Sequence, residues 1–449
     1  MFPKYDSCKQ LLGEEIMIRL SLGLAVTATL ALATPILAHA GTLHGFVNKS
    51  EINGVVRSYY FSKLYGADNK LNQDAYSLGG ILNVRTAPFL GGFGVGVSFF
   101  TANALGTHGD TPNDVDTTLM GIAPSINALG QAYIQYALSQ RLMLRVGNQI
   151  INTPWMGPRD SRMLPQTFQG IYAALTPITG LRLEGMRVFR WKSRTSSDYS
   201  KDNLYYPTGY NGDPMYGVKA VLPKTAAQFQ GTLAFGANYK AMDINLSAWY
   251  YNFYGFANMF YTAAAYTLKT PGGFSPFIAA QYMREWENDS FFQKYHANLF
   301  GQTGSVNATL WGTKLGMKFP GGQIFAAYNA LSPHAGAFGG GAIVSPYGNY
   351  TAMYASFMTD NLLAFGPGHV WRLGAAYTVW HKQIRFISGY SHFDTYYSGK
   401  TNGVYFDLTY APEALKGLSI RDRVAINNGL ASYYGHSYIY NRLMLQYAF

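Results

Sequence analysis

Beyond residue 40 the chain alternates apolar side chains with polar or small ones at a period of two, and turn-forming residues interrupt the alternation about every ten positions. Leu142, Leu144 and Val146, for example, share one parity, and Arg145 has the other. Successive side chains of a β-strand point to opposite faces, so each such segment predicts a strand with one apolar face. The chain is therefore predicted to be all-β.

Composition separates a membrane barrel from a soluble sandwich, whose strands would also alternate. Hydrophobic residues make up 48% of the chain and charged residues 13%, with 36 Tyr, 28 Phe, 49 Gly and a mean hydropathy of −0.04. A barrel in lipid has this combination, because apolar and aromatic side chains face outward and polar or small ones face inward. We expect a transmembrane antiparallel β-barrel of roughly 16 to 18 strands in a Gram-negative outer membrane.

The first forty residues predict export. Residues 17–40 contain a positive residue, an apolar run and a small-residue cleavage site, as a signal peptide does. A single membrane anchor is the alternative, but the run is shorter than the about 20 residues of a span. We expect Met17 to be the true start, residues 1–40 to be an extension plus signal peptide, and residues 41–449 to form one barrel domain. Cys8 is the only cysteine, which excludes disulfides and thiol chemistry from the mature domain.

Two further segments bear on the fold. Residues 244–268 carry no charge and could be taken for a membrane helix, but their alternation and Asn content predict two strands and a connection. Aromatic clusters at 59–61 and 249–251 are expected at strand ends, as girdles at the lipid headgroups.

The last strand is the most specific local signal. In 438–449, Leu443, Leu445, Tyr447 and Phe449 share one face, and the chain ends on an aromatic residue. This resembles the terminal strand that the outer-membrane barrel assembly machinery recognises, and the same strand is expected to pair with the first one. Tyr447 and Phe449 are the candidate assembly signal.

Arginines often have the parity opposite to the apolar face, so several are expected to face the lumen. The candidates for a basic ladder along the substrate path are Arg57, Arg85, Arg145, Arg421 and Arg423. Inward acids such as Asp407 and Glu184 are expected to pair some of them. In the alternative interpretation these arginines only fill the lumen or bind lipopolysaccharide phosphates at the rim. Parity would point Asp422 at lipid, which requires a bulge or an interfacial position.

Residues 147–170 form a strand followed by a long connection rich in Pro, Gly and Arg, which is expected to fold into the pore. Its Thr153-Pro154, Asp160-Ser161-Arg162-Met163 and Phe168-Gln169-Gly170 resemble the segment typical of OprD-type outer-membrane porins. Similar resemblance is found in Arg57-Ser58-Tyr59-Tyr60-Phe61, in the glycine-rich 90–100 and in 412–421. It extends from about residue 46 to 449 and is weaker for the strands between 200 and 380.

The resemblance implies an eighteen-stranded barrel, monomeric or loosely trimeric, that is narrowed by infolded loops and passes amino acids or organic acids. Arg57, Arg421 and Arg423 match ladder positions. Arg159, Asp160 and Arg162 fall in the constriction loop. The long uncharged segment 336–349 leaves the second infolded loop undecided.

We therefore expect a porin for passive, selective diffusion of small anionic solutes, with lipid and lipopolysaccharide around it and no cofactor, metal or nucleic-acid partner. There is no G-x-S-x-G, P-loop or H-E-x-x-H motif, so an enzyme is not expected. A general diffusion porin is the near alternative. A barrel enzyme would need partners for His381, His392 or His436, and an adhesin or structural barrel would not conduct.

Overall fold

The computed structural model describes residues 49–65, 72–108, 113–139, 141–207, 218–356, 358, 360–429 and 437–449. The predicted signal peptide, the Met17 start and Cys8 lie outside these residues. The described chain is almost entirely β-structure. The strands are β1 Glu51–Tyr65, β2 Gln73–Arg85, β3 Phe93–Asn103, β4 Ser125–Leu138, β5 Leu142–Gln149, β6 Thr167–Ile178, β7 Leu181–Lys192, β8 Thr232–Ala241, β9 Ile244–Phe253, β10 Ala257–Thr267, β11 Ser275–Glu287, β12 Val306–Phe319, β13 Gly322–Leu331, β14 Gly368–Val379, β15 Ile384–Thr395, β16 Gly399–Tyr410, β17 Leu418–Gly429 and β18 Tyr438–Ala448.

The eighteen strands form one closed antiparallel sheet. Each strand pairs with its neighbour in sequence, and β1 also pairs with β18, with Arg57 opposite Gln446 and Val55 opposite Ala448. Closure leaves no strand edge unpaired, as a sheet surrounded by lipid requires. The predicted barrel and its first-to-last pairing are confirmed.

Side-chain parity divides the barrel into two surfaces. On β18, Leu443, Leu445 and Tyr447 are exposed on the outside, whereas Arg442 is only 2% exposed on the inside. The aromatic clusters at 59–61 and 249–251 do not form girdles as units, because alternation turns Tyr59, Phe61, Trp249 and Tyr251 into the lumen. That part of the prediction was wrong.

The uncharged stretch 244–268 consists of β9, a short connection and most of β10, as predicted. None of the helices in the described ranges is long and apolar enough to cross a membrane.

Asp422 remains on the outer face of β17. Its pairings with β16 and β18 run without a register shift, so the expected bulge is absent. The side-chain amide of Asn441 donates to the Asp422 carboxylate at 2.7 Å. A polar pair therefore occupies the outward-facing surface there.

The barrel has a short-turn end and a long-loop end, which in bacterial barrels are periplasmic and extracellular respectively. At the long-loop end lie two one-turn helices, α1 Phe291–Lys294 and α2 Leu362–Phe365, capped by the side chains of Ser290 and Asn361. A 3₁₀ turn spans Phe338–Gly340. Two long connections, residues 150–166 and the described part of 332–367, both contribute apolar residues to one buried cluster with inward residues of the strands. We call them the first and second infolded loops.

Candidate functional site

Four arginines face inward on one three-stranded part of the barrel. Arg57 lies on β1, Arg421 and Arg423 on β17, and Arg442 on β18, which pairs with both of the other strands. Arg423 lies directly opposite Arg442 in the ladder. These four residues are called the arginine wall. Because the strands are adjacent, their positive charges are concentrated on one side of the lumen.

Asp407 on β16 orients Arg421, the member of the arginine wall nearest the short-turn end. It accepts hydrogen bonds from Nε and Nη2 of Arg421 at 2.9 and 2.5 Å, and from the Tyr405 hydroxyl at 2.7 Å. The two-pronged contact holds the planar guanidinium in one orientation. Asp407 thus pairs one arginine, as alternation suggested, while Arg421 stays partly exposed.

The first infolded loop is anchored on Arg57. Its Nη1 and Nη2 atoms donate to the two Asp160 oxygens at 2.6 and 2.8 Å, and Nη1 also donates to the carbonyls of Arg162 and Met163 at 3.2 and 3.1 Å. One side chain of the barrel wall therefore binds both a carboxylate and the backbone of the loop. The expected infolding of this segment is present.

Arg162 brings a further positive charge from this loop to the arginine wall. Its Nη1 donates to Thr118 Oγ1 at 2.6 Å and to the Tyr440 hydroxyl at 3.2 Å, and its guanidinium lies 5.2 Å from the centre of the Phe61 ring. Burial acts to lower the pKa of Arg162, but Tyr440 and Asp116 outweigh burial and raise it. Arg162 is a permanent cation.

Asp116 balances this cation. It comes from the connection between β3 and β4, is fully buried, and lies 3.0 Å from Lys63 Nζ. The hydroxyls of Thr118 and Tyr440 donate to it at 2.5 and 2.6 Å. Burial acts to raise the pKa of Asp116, but Lys63, Arg162 and these hydrogen bonds prevail and lower it to about 2.

Arg423 and Arg442 each keep N–H groups that no described residue accepts. Arg423 donates to the Tyr59 hydroxyl and, at 3.3 Å, to the Ser161 carbonyl. Arg442 stacks 4.5 Å from the Phe61 ring centre and 4.2 Å from that of Tyr440. Nε of Arg423, and Nε and Nη2 of Arg442, have no hydrogen-bond partner among the described residues. These atoms have no surface open to the lumen, so the two guanidiniums act on a solute through their charge rather than by direct contact.

The second infolded loop reaches the first. Arg159 donates to the Gly348 carbonyl and its guanidinium lies 4.2 Å from the centre of the Tyr350 ring. The Asn349 amide donates to the Pro154 carbonyl at 3.0 Å. The segment 336–349, left undecided by the sequence, therefore belongs to a loop that narrows the lumen together with the first.

Comparison with known proteins identifies this barrel. The model of the OprD family, described as "outer membrane porin, OprD family", matches residues 44–449. The chain belongs to the OprD family of outer membrane porins. No curated protein matches it.

Solved structures of this family share the fold at low sequence identity. Pseudomonas aeruginosa OccK9 (OpdG) has a TM-score of 0.72 at 17% identity, over 90% of this chain and 99% of that one. P. aeruginosa OpdK with vanillate gives 0.72 and 17%, over 90% and 100%. Acinetobacter baumannii OccAB3 gives 0.72 and 18%, over 90% and 99%. The family and fold locate the protein in the Gram-negative outer membrane and indicate a channel for small solutes rather than an enzyme.

In this OprD-family barrel two predicted ladder residues lie outside the arginine wall. Arg85 forms an exposed salt bridge with Glu51 near the short-turn end. Arg145 on β5 donates to Gln135 at 3.0 Å and stacks on the Tyr133 ring at 4.2 Å. The structure thus brings together Arg57, Arg421 and Arg423 with the loop residues 160 and 162, but not these two.

Sequence reasoning missed several members of the porin's site. Arg442 has inward parity on the last strand, so the same parity argument could have included it. Lys63 has the same parity as Arg57 and was equally accessible to that argument. Asp116 lies in an irregular connection, and nothing in the sequence locates its carboxylate beside Tyr440, 324 residues away.

On another part of the lumen, Glu184 lies 3.3 Å from Arg182 and accepts hydrogen bonds from Tyr172 and from Asn238, the latter at 2.9 Å.

Within the described residues, no group of three His, Cys, Asp or Glu side chains could hold a metal ion. His392 faces outward and hydrogen-bonds to Asn402, and His436 lies outside the described residues.

Proposed function

We propose that this OprD-family porin passes small anionic or carboxylate-bearing solutes, such as organic acids and amino acids, down their gradient along the arginine wall. The solute carboxylate is drawn into the narrowed lumen by the fixed positive charges and moves from one guanidinium to the next. No covalent step is involved, because selectivity in such a pore depends on charge, width and hydrogen-bond donors.

The excess positive charge of the arginine wall carries this proposal. A guanidinium offers a planar fork that matches a carboxylate, and it stays charged at every relevant pH. Arg57 and Arg421 are paired with Asp160 and Asp407, and Arg421 stays one-third exposed to the lumen. Among the described residues no carboxylate forms a salt bridge with Arg423 or Arg442, so these two buried guanidiniums add uncompensated positive charge behind that surface.

Overall charge supports the same direction. The full chain carries a formal net charge of +11, with 34 Lys and Arg against 23 Asp and Glu. A lumen whose walls carry one sign of charge raises the local concentration of the opposite ion. One structural neighbour, OpdK, was solved with vanillate, and that ligand provides a suitable class of probe.

The test is single-channel recording of the refolded mature protein in planar bilayers, with the reversal potential measured under a salt gradient and block measured with added benzoate and glutamate. We expect small anion-selective steps that both carboxylates interrupt. Arg442→Gln should lower the anion-to-cation permeability ratio roughly fivefold, because a unit charge close to a wet pore contributes about 1 kcal/mol to the attraction of an anion.

Arg187→Gln is the matched control. Arg187 lies on the outer face of β7, between the inward Met186 and Val188, and stacks on Phe189 and Tyr254. The Arg187→Gln substitution removes the same charge outside the lumen, so the anion-to-cation permeability ratio should not change. Large unselective steps in the native protein would favour general diffusion. Absence of conductance from well-folded barrels would overturn the channel proposal.

A further inference from the structure

A second group of cations lies on a different part of the lumen, across β11 to β14. Lys314 and Lys318 on β12 and Arg372 on β14 have inward parity, and Ala327 on β13 connects Lys314 to Arg372 in the strand register. Strands β15 and β16 separate this group from β17 of the arginine wall. The two groups are therefore distinct.

Aromatic rings alternate with these cations. Lys318 Nζ lies 5.4 Å from the centre of the Phe277 ring, and Lys314 Nζ lies 5.8 Å from the same centre. Lys314 Nζ is also 4.0 Å from the centre of the Phe325 ring, and Arg372 Cζ is 5.4 Å from it. In order, Lys318, Phe277, Lys314, Phe325 and Arg372 form what we call the cation–ring track.

Glycines keep the rings flat against the wall. A Cβ atom added at Gly316 would lie 2.7 Å from Cζ of Phe277, and one added at Gly374 would overlap the Phe325 ring. The two rings thus occupy the space that side chains at these positions would take. The rings therefore lie over these glycines as part of the lumen wall.

The charges of the track repel one another. Lys314 lies within the electrostatic reach of both Arg372 and Lys318. Within the described ranges, no carboxylate forms a salt bridge with Lys314 or Lys318. Like charges gathered without an acid are costly, and a bound anion relieves that cost.

The track also connects the loops to the channel exit. Arg372 Nη1 donates to the Ser356 carbonyl of the second infolded loop at 2.6 Å. Lys318 lies at the other end of the track, one residue before the end of β12 and exposed. The cations therefore descend from the narrowed region toward the short-turn mouth.

We propose that the cation–ring track is a second anion subsite, separate from the arginine wall, that takes a carboxylate attached to a flat apolar body. The carboxylate meets the ammonium groups of Lys314 and Lys318. The flat body packs beside Phe277 and Phe325, which the aliphatic part of a non-aromatic solute would fill less well. This subsite rests on the proposed passage of carboxylates and adds a site of discrimination to it.

The experiment compares block of single-channel current by benzoate and by acetate in planar bilayers. The double variant Lys314→Gln/Lys318→Gln should weaken benzoate block about fivefold, with a smaller effect on acetate. Phe325→Leu should weaken benzoate block and leave acetate block and ion selectivity unchanged, because it removes a ring and no charge. Circular dichroism of each refolded variant verifies the barrel.

Lys240→Gln is the matched control, since Lys240 has inward parity on β8, which β9 and β10 separate from the strands of the track, and is exposed. If the double variant and Lys240→Gln have equal effects, or if benzoate and acetate block weaken equally, the subsite is overturned. Loss of selectivity in Arg442→Gln but no effect of the lysine variants would retain the proposed function and reject the subsite. A native pore without anion preference, whose benzoate block still depends on Lys314 and Phe325, would reject the proposed function and retain the subsite.

Discussion

Arg57 on the first strand binds both carboxylate oxygens of Asp160, 103 residues further along the chain, at 2.6 and 2.8 Å. The pair joins the barrel wall to the first infolded loop. Because Arg57 also donates to two carbonyls of that loop, it limits how far the loop can move from the wall.

Asp160→Asn should loosen the first infolded loop. The charge-assisted pair becomes a weaker neutral contact, so we expect larger and noisier single-channel steps with the barrel intact. Glu51→Gln, which disrupts the exposed pair with Arg85 near the short-turn end, is the control and should change the step size little. Unchanged step size and noise in Asp160→Asn would show that the pair does not restrain the loop.

Acid should weaken the attachment of the β3–β4 connection. The folded-state pKa of Asp116 is about 2, lower than its ordinary value near 3.8. A depressed pKa stabilises the folded state above the unfolded pKa, and this stabilisation is lost as pH falls through the folded one. About 2 kcal/mol should therefore disappear between about pH 4 and pH 2.

The check for Asp116 is thermal unfolding in detergent, followed by circular dichroism at pH 7, 4 and 2. The native protein should lose more stability between pH 4 and 2 than Asp116→Asn, which has no charge to lose. Equal pH dependence in the two proteins would contradict the assignment of the low pKa to this carboxyl.

The outward pair of Asn441 and Asp422 should matter for stability but not for conduction. Asn441→Leu leaves the Asp422 carboxylate without its amide donor on the lipid-facing surface, which should destabilise the barrel by about 1–3 kcal/mol. Adding Asp422→Leu should restore the stability lost in Asn441→Leu, because two apolar residues suit that surface. The measurement is urea unfolding in lipid vesicles, with conductance as the control. Failure of the second substitution to rescue would argue that the carboxylate is not exposed to lipid.

Glu285 should hold the second infolded loop as an acceptor rather than as a charge. Its carboxylate on β11 is buried and accepts the Val344 backbone N–H at 2.7 Å, while Oε1 has no partner among the described residues. Glu285→Gln retains an acceptor and should preserve the native step size. Glu285→Leu removes it and should give noisier current in bilayer recordings. Equal noise in both variants would exclude the hydrogen bond as the restraint.

Local sequence predicted the wall of the barrel well. Parity placed Leu443, Leu445 and Tyr447 outward and Arg57, Arg421 and Arg423 inward, because side-chain direction in a strand is set by backbone geometry alone. The same rule explains the error at 59–61. Adjacent residues cannot share a face, so Tyr59 and Phe61 could not join Tyr60 in a lipid-facing girdle.

The sequence by itself determined that the chain forms a closed barrel with a basic interior, since period-two alternation, turn spacing and composition are local properties. Only the tertiary structure decided which cations meet. Closure of the barrel pairs β18 with both β17 and β1, and two irregular connections add Arg162 and Asp116 to that wall. Loop positions depend on contacts across hundreds of residues, such as that between Asp116 and Tyr440, and no local pattern encodes them.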